Sequence, residues 1–247
     1  MTERFIVSRH FNGPPTSGNG GYVAGLLSRE LLRRRPDARA VEVTLRAALP
    51  LDRPLQVLDE SDGGVTLMDG ELLLARAAGV ALELELPPAP TLEQARAAGA
   101  IGRMRSARGS GNAYLHCFGC GMEREPHQGL RIVPTAIDDE DLVASDWTPN
   151  EAFADAEGRI PAEIVWTALD CPAGFAWGRR LGGDNSGLLT GRITLAIVDE
   201  VRAGQPYVVA AWPLEREGRK LHAGTALFDA QGRPLAFSRQ LWFAPKE

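Results

Sequence analysis

Asn19-Gly20-Gly21-Tyr22-Val23-Ala24-Gly25-Leu26-Leu27-Ser28 is the stretch on which the fold turns. Its apolar residues, continued by Leu31 and Leu32, recur at helical spacing until Pro36 stops them. The strand-like runs Val43-Thr44-Leu45, Pro54-Leu55-Gln56-Val57 and Leu67-Met68-Asp69-Gly70 follow. Much later a second helix pattern appears, Ala162-Glu163-Ile164-Val165-Trp166-Thr167-Ala168-Leu169-Asp170. Behind it come Ile193-Thr194-Leu195, Pro206-Tyr207-Val208-Val209 and Leu227-Phe228-Asp229-Ala230-Gln231-Gly232. The order is kept and the spacing drifts as loop insertions would make it drift. The chain reads as a duplicated unit of one helix and then strands, which can place a site between its copies. Ser28 of the first copy aligns with Asp170 of the second.

With 247 residues, 44% hydrophobic and 24% charged, the chain is ordinary globular protein, long enough for one large or two modest domains. A formal charge of -5, with no basic stripe interleaved with aromatics, argues against a nucleic-acid partner. Arg33-Arg34-Arg35 sits at a helix end, where it complements the dipole. No apolar run approaches a membrane span, and Met1-Thr2-Glu3-Arg4 lacks the apolar core of a secretory leader. Three cysteines do not suggest a disulfide framework. A cytoplasmic protein is the expectation.

Residues 4–10 read as a first strand, and Gly13 to Gly21 as a turn-rich loop. Residues 41–48, 54–59, 65–68 and 71–86 read as strands. In the last of these Glu83 and Glu85 alternate with Leu82, Leu84 and Leu86, as on a strand with one wet face. Residues 1–88 form a first unit. Residues 89–112, with Pro90, an Ala/Arg-rich helical piece and Gly109-Ser110-Gly111-Asn112, form a linker. Residues 113–247 form a second unit, with a strand near 142–147, a helix over 161–181 and strands near 190–201, 205–215, 219–229 and 234–244. Both long helices are apolar nearly all round, so both must be buried. The class is α+β, and a curved antiparallel sheet wrapped around a central helix describes the hotdog fold.

Four patterns carry a family resemblance: Asn19-Gly20-Gly21-Tyr22-Val23-Ala24; Cys117-Phe118-Gly119-Cys120-Gly121 with Gly129-Leu130-Arg131-Ile132; Ile164 through Pro172; and the tail Arg219-Lys220 to Leu235-Ala236. Together they resemble the acyl-CoA thioesterase superfamily in its tandem, or double, hotdog form. The resemblance implies an acyl-CoA or related thioester as partner, with the CoA belonging to the substrate and no separate cofactor. Units of this fold pair, which admits a homo-oligomer. Backbone N–H groups at one unit's helix start polarise the thioester carbonyl, and a carboxylate on the partner helix activates water or attacks directly. The family's helix start is His-Gly-Gly, with the carboxylate seven residues after the second glycine. Here Asn19 stands in the histidine place before Gly20-Gly21, and the carboxylate place holds Ser28. In the second unit Asp170 holds the carboxylate place, while Ala162-Glu163 after Pro161 replaces the glycines. Gly20, Gly21 and Asp170 together would make one complete site and leave its pseudo-symmetric twin dead.

Bland readings stand beside these. Asp170 could cap a new helical segment before Pro172, and Gly20-Gly21 could be a tight turn. Asn19 or Asn12 could orient a water or the carbonyl. Glu163 serves the helix dipole, and His10 and His222 lie on strand surfaces. Cys117-x-x-Cys120, near His116 and His127, invites zinc, but a second pair is missing, so no metal is expected; buried Cys171 acts as a small apolar residue. Arg179, Arg180, Arg219 and Lys220 are nominated for CoA phosphates, against the ordinary alternative of solvated surface. No nucleophile elbow supports serine-hydrolase chemistry, the Gly182–Gly187 loop lacks a phosphate-cradle context, and no Asp/His pair supports a hydratase. A silent acyl-CoA or apolar-ligand binding protein is the alternative to a hydrolase.

Overall fold

The computed structural model describes residues 5–108, 114–137, 141–183 and 185–246; Gly109-Ser110-Gly111-Asn112 and Asp184 lie outside them. The chain runs β1 (Phe5–Ile6), α1 (Gly20–Arg34), β2 (Ala40–Leu45), β3 (Pro54–Asp59), β4 (Val65–Asp69), β5 (Leu72–Val80) and α2 (Leu92–Arg108). It continues β6 (Thr135–Ala136), β7 (Val143–Trp147), α3 (Ala162–Arg180), β8 (Leu189–Ile197), β9 (Tyr207–Glu217), β10 (Lys220–Phe228) and β11 (Pro234–Phe243). The strands form one eleven-stranded sheet in the order β1-β3-β4-β5-β2-β8-β11-β10-β9-β7-β6. All its pairings are antiparallel. α1 and α3 are each followed by four strands that pair in the same way: β2 with β5, β5 with β4, β4 with β3; β8 with β11, β11 with β10, β10 with β9. The two halves join where β2 meets β8.

α1 and α3 cross in close contact beneath this seam, and glycines let them do so. A Cβ on Gly25 would lie 2.4 Å from Glu163 Cα, and one on Gly21 would lie 2.7 Å from Trp166 O and 3.0 Å from Thr167 Cα. Neither distance leaves room for a methyl group, so the i, i+4 pair of glycines presses one backbone against the other. Burial runs along most of both helices, up to the exposed arginines of their last turns and Arg29; Leu27, Leu31, Trp166, Leu169 and Trp177 are fully enclosed. Helices without a wet face are buried between other elements, and here each covers the other as well as the sheet.

α3 does not break at Pro172. The expected alternative, a cap at Asp170 starting a new segment, is therefore wrong; Asp170 lies mid-helix. A proline inside a helix disturbs the carbonyls of the preceding turn. One of them, Leu169 O, accepts a hydrogen bond from Gln240 Nε2 on β11 at 2.6 Å. Gln240 also donates to Ser238 and accepts from Trp242 Nε1. A Gln240→Leu chain is expected to lose about 2–3 kcal/mol in urea unfolding, because several buried polar groups lose partners together.

Other expectations need correcting. β1 is only two residues, and Arg9–Phe11 forms a 3-10 helix, so His10 is on a turn and not a strand. Residues 81–86 alternate in exposure as expected but join no ladder. The β2–β5 ladder ends where Val80 pairs with Ala40, the first residue of β2. The Ala/Arg-rich helical piece expected within 89–112 is there as α2, opened by a capping box in which Thr91 and Gln94 exchange bonds of 2.9 and 3.2 Å. α2 packs on β7, with Arg103 paired to Asp146 at 2.9 Å.

Candidate active site

The seam pairs only from Val41–Leu195 to Thr44–Arg192. Where the ladder stops, residues 45–49 and 188–191 line opposite parts of a cavity of about 560 Å³. The start of α1, the middle of α3 and the turn around Cys117 complete the wall.

Asn19 is the N-cap of α1: its side-chain oxygen accepts from Tyr22 N–H at 2.9 Å. The other orphan donors of that first turn define the site. Gly21 N–H donates to Asp170 Oδ2 at 2.9 Å, across the contact between the two helices. Gly20 lines the cavity, and its N–H has no acceptor among the described residues. A Cβ on Gly20 would meet Leu45 Cδ1 at 3.1 Å and Asp170 Oδ2 at 3.4 Å, so glycine keeps this approach open.

Asp170 is 2% exposed. Its second oxygen accepts from Thr190 Oγ1 on β8 at 2.8 Å. Burial pushes its carboxyl up to about 6, while the bonds from Thr190 and Gly21 restrain the rise and the Cys117 sulfur adds to it. The carboxylate is thus ionised at neutral pH yet far more basic than one on the surface.

The twin position looks different. Among the described residues, Ser28 Oγ is buried without a partner, and so is Glu163 Oε2. The other Glu163 oxygen is paired with Arg29 at 2.7 Å, so beyond the dipole role expected of it Glu163 is tied to the opposite helix. No side chain caps α3 at Pro161.

Asn12 does not reach the cavity wall. Its oxygen is taken by Arg124 Nη2 and its amide donates to Gly13 O. Of the four nominated cations, Arg219 lines the cavity, with its guanidinium held on Ala244 O. Arg180 pairs with Asp141 and sits over the Trp177 ring, Lys220 lies near Glu217, and neither they nor Arg179 line the cavity. His222, on β10, is half-buried and faces Glu215 at 3.6 Å.

Sequence reasoning missed Thr190, Arg46 and the meeting of three cysteines. Thr190 and Arg46 are cavity residues whose roles depend on where the β2–β8 ladder ends, and no local pattern records that. Cys171 follows Asp170 on α3, which puts it on the same wall as Cys117 and Cys120. Asn19 Nδ2 approaches the Cys117 and Cys171 sulfurs at 3.7 and 3.9 Å. The Cys120 and Cys171 thiols, with the N–H groups of Cys120 and Gly119, hold the Cys117 thiol well below its ordinary range. Cys120 and Cys171 are pushed up in turn.

No protein-family model matches the chain, and no curated protein does. Solved structures do match. The chain is similar to a protein from Novosphingobium aromaticivorans named as a candidate thioesterase, at 13% identity, with 98% of this chain and 94% of that one covered and a TM-score of 0.64. It is similar also to a conserved hot-dog-fold protein of unknown function from Alicyclobacillus acidocaldarius, at 11% identity, 100% and 95% coverage and a TM-score of 0.60. The chain has the hotdog fold. A tesB protein of Mycobacterium avium subs paratuberculosis shares it, at 14% identity, 92% and 87% coverage and a TM-score of 0.59. At such identities the likeness is one of backbone path. The chemistry of this hotdog chain has to be argued from its own side chains. Among the described residues no helix is long and apolar enough to cross a membrane.

Proposed function

We propose that this chain is an acyl-CoA thioesterase-like hydrolase of tandem double-hotdog form, with one composite active site between its two units. The observation that carries the reading is the 2.9 Å bond from Gly21 N–H of the first unit to Asp170 of the second, which lines a cavity that a thioester could enter. The Gly21 bond and the Thr190 hydroxyl hold the carboxylate in one orientation. Gly20 N–H, at the positive end of α1, then meets the thioester carbonyl oxygen. Asp170 takes a proton from a water as its oxygen bonds to the carbonyl carbon. The tetrahedral intermediate collapses, the C–S bond breaks, and the departing thiolate collects the proton. Arg46 and Arg219, on the cavity wall, suit the phosphates of a CoA leaving group. The acyl chain lies along the apolar unit interface. At the twin position Ser28 supplies no base and Glu163 is bound to Arg29, so that half is inactive.

One observation favours a second reading, a silent acyl-CoA binding protein: both Asp170 oxygens already hold donors. A panel of acyl-CoA thioesters separates the two. Release of free CoA with saturable kinetics is expected from the wild type. Calorimetric binding without thiol release would put the chain in the second class, and neither binding nor release would remove both.

A further inference from the structure

Three thiols meet in the cavity wall, and the hydrolase reading uses none of them. The sulfurs of Cys117, Cys120 and Cys171 all lie within 4.8 Å of one another, and all three residues are buried. Cys117 and Cys171 sulfurs are 3.8 Å apart. A tetrahedral zinc site with Zn–S bonds of about 2.3 Å holds its sulfurs about 3.8 Å apart. We propose that Cys117, Cys120 and Cys171 are ligands of a thiophilic divalent cation, zinc by their chemistry, whose fourth position faces the cavity.

The local backbone supports this independently of the spacing. Cys117-Phe118-Gly119-Cys120-Gly121 is a tight turn that carries two of the three thiols. Gly121 N–H closes the turn on Cys117 O at 2.8 Å. Such a turn holds two thiols of one short segment within reach of a single ion. Glycine is required twice. A Cβ on Gly121 would lie 2.5 Å from both Cys117 O and Leu115 O, and one on Gly119 would lie 3.0 Å from the Cys171 sulfur. The turn therefore rests directly on the α3 cysteine. Asn19 Nδ2 points at two of the three sulfurs, the place of an outer-shell donor that orients metal ligands. A disulfide would join two sulfurs and strand the third; a cation uses all three.

With all three ligands on the cavity wall, a water or another small donor can complete the coordination. Binding releases the protons that the thiols carry and ties the 114–122 turn to α3 and, through Asn19, to the start of α1.

Protein purified under reducing conditions is analysed for bound metal, then stripped and titrated with Co²⁺. One metal per chain is expected, with thiolate-to-cobalt charge-transfer absorption and tetrahedral ligand-field bands. Cys117→Ser, Cys120→Ser and Cys171→Ser should each remove part of the charge-transfer intensity and weaken Co²⁺ binding at least about tenfold. Asn19→Ser, which keeps a capping oxygen but removes the donor, should weaken it about 10–100-fold. The wild-type spectrum stands alone if a variant fails to fold. Cobalt bound without charge transfer, bands unchanged in Cys171→Ser, or a Cys117–Cys171 disulfide with no metal uptake would each overturn the proposal.

Discussion

An Asp170→Asn chain is expected to lose about 10²–10⁴-fold in kcat/KM toward the best acyl-CoA substrate and to melt higher than the wild type. The two effects share one cause. Asp170 is enclosed mid-helix, and burial raises its carboxyl to about 6 from the ordinary 3.8. An acid raised in the folded state binds protons more tightly there than in the unfolded chain. Wild-type stability therefore falls as pH rises between about 4 and 6 and stays low above that. The shift from 3.8 to about 6 corresponds to roughly 3 kcal/mol as an upper estimate. Asparagine carries no charge and avoids this loss, while its oxygen still accepts from Gly21 N–H and its amide can donate to the Thr190 hydroxyl. Urea unfolding of both chains in chelator, so that no cation at the thiols contributes, should give near-equal stability at pH 4 and a clear gap favouring asparagine at pH 8. A pH-independent gap would refute the buried-charge account. Hydrolysis at wild-type rate in Asp170→Asn would remove the base from the mechanism.

The second large effect is expected at a residue outside the cavity wall. Gly25→Ala places a methyl group 2.4 Å from Glu163 Cα, and backbone cannot rotate away as a side chain can. The helices must separate or slide, so the destabilisation should reach about 3 kcal/mol, the upper part of the range for overpacking. Separating α1 from α3 also lengthens the Gly21–Asp170 bond, which makes the substitution a remote test of the composite site. Denaturation midpoints report the first effect. A kcat loss in the folded fraction, absent from an equally destabilised surface variant, reports the second. A Gly25→Ala chain with wild-type stability would mean that the helices do not cross as described.

Much of this architecture was readable residue by residue. The apolar periodicity of 22–32 and 161–181 marked both buried helices, and their ends fell at Arg34 and Arg180. Pro54–Asp59 is the strand its composition describes. The reading failed where pairing and not pattern decides. Residues 81–86 have a strand's alternation but no partner, and Pro172 has a breaker's chemistry but a glutamine waiting on β11. Aligning Ser28 with Asp170 pointed to an asymmetric pair of sites. That Asp170 meets Gly21 at hydrogen-bond distance follows from the close crossing of two helices, itself the result of two glycines four residues apart.

Helix and strand identity and the repeated order are local properties, written in side-chain period and composition. Distances between residues far apart in the chain are different. Asn19, Cys117 and Cys171, the partnership of Thr190 with Asp170, and the opening of a cavity where the β2–β8 ladder ends all depend on how the two halves dock. Docking is set by long-range packing of close-fitted surfaces, and a missing Cβ at Gly21 or Gly25 matters only once another backbone lies against it.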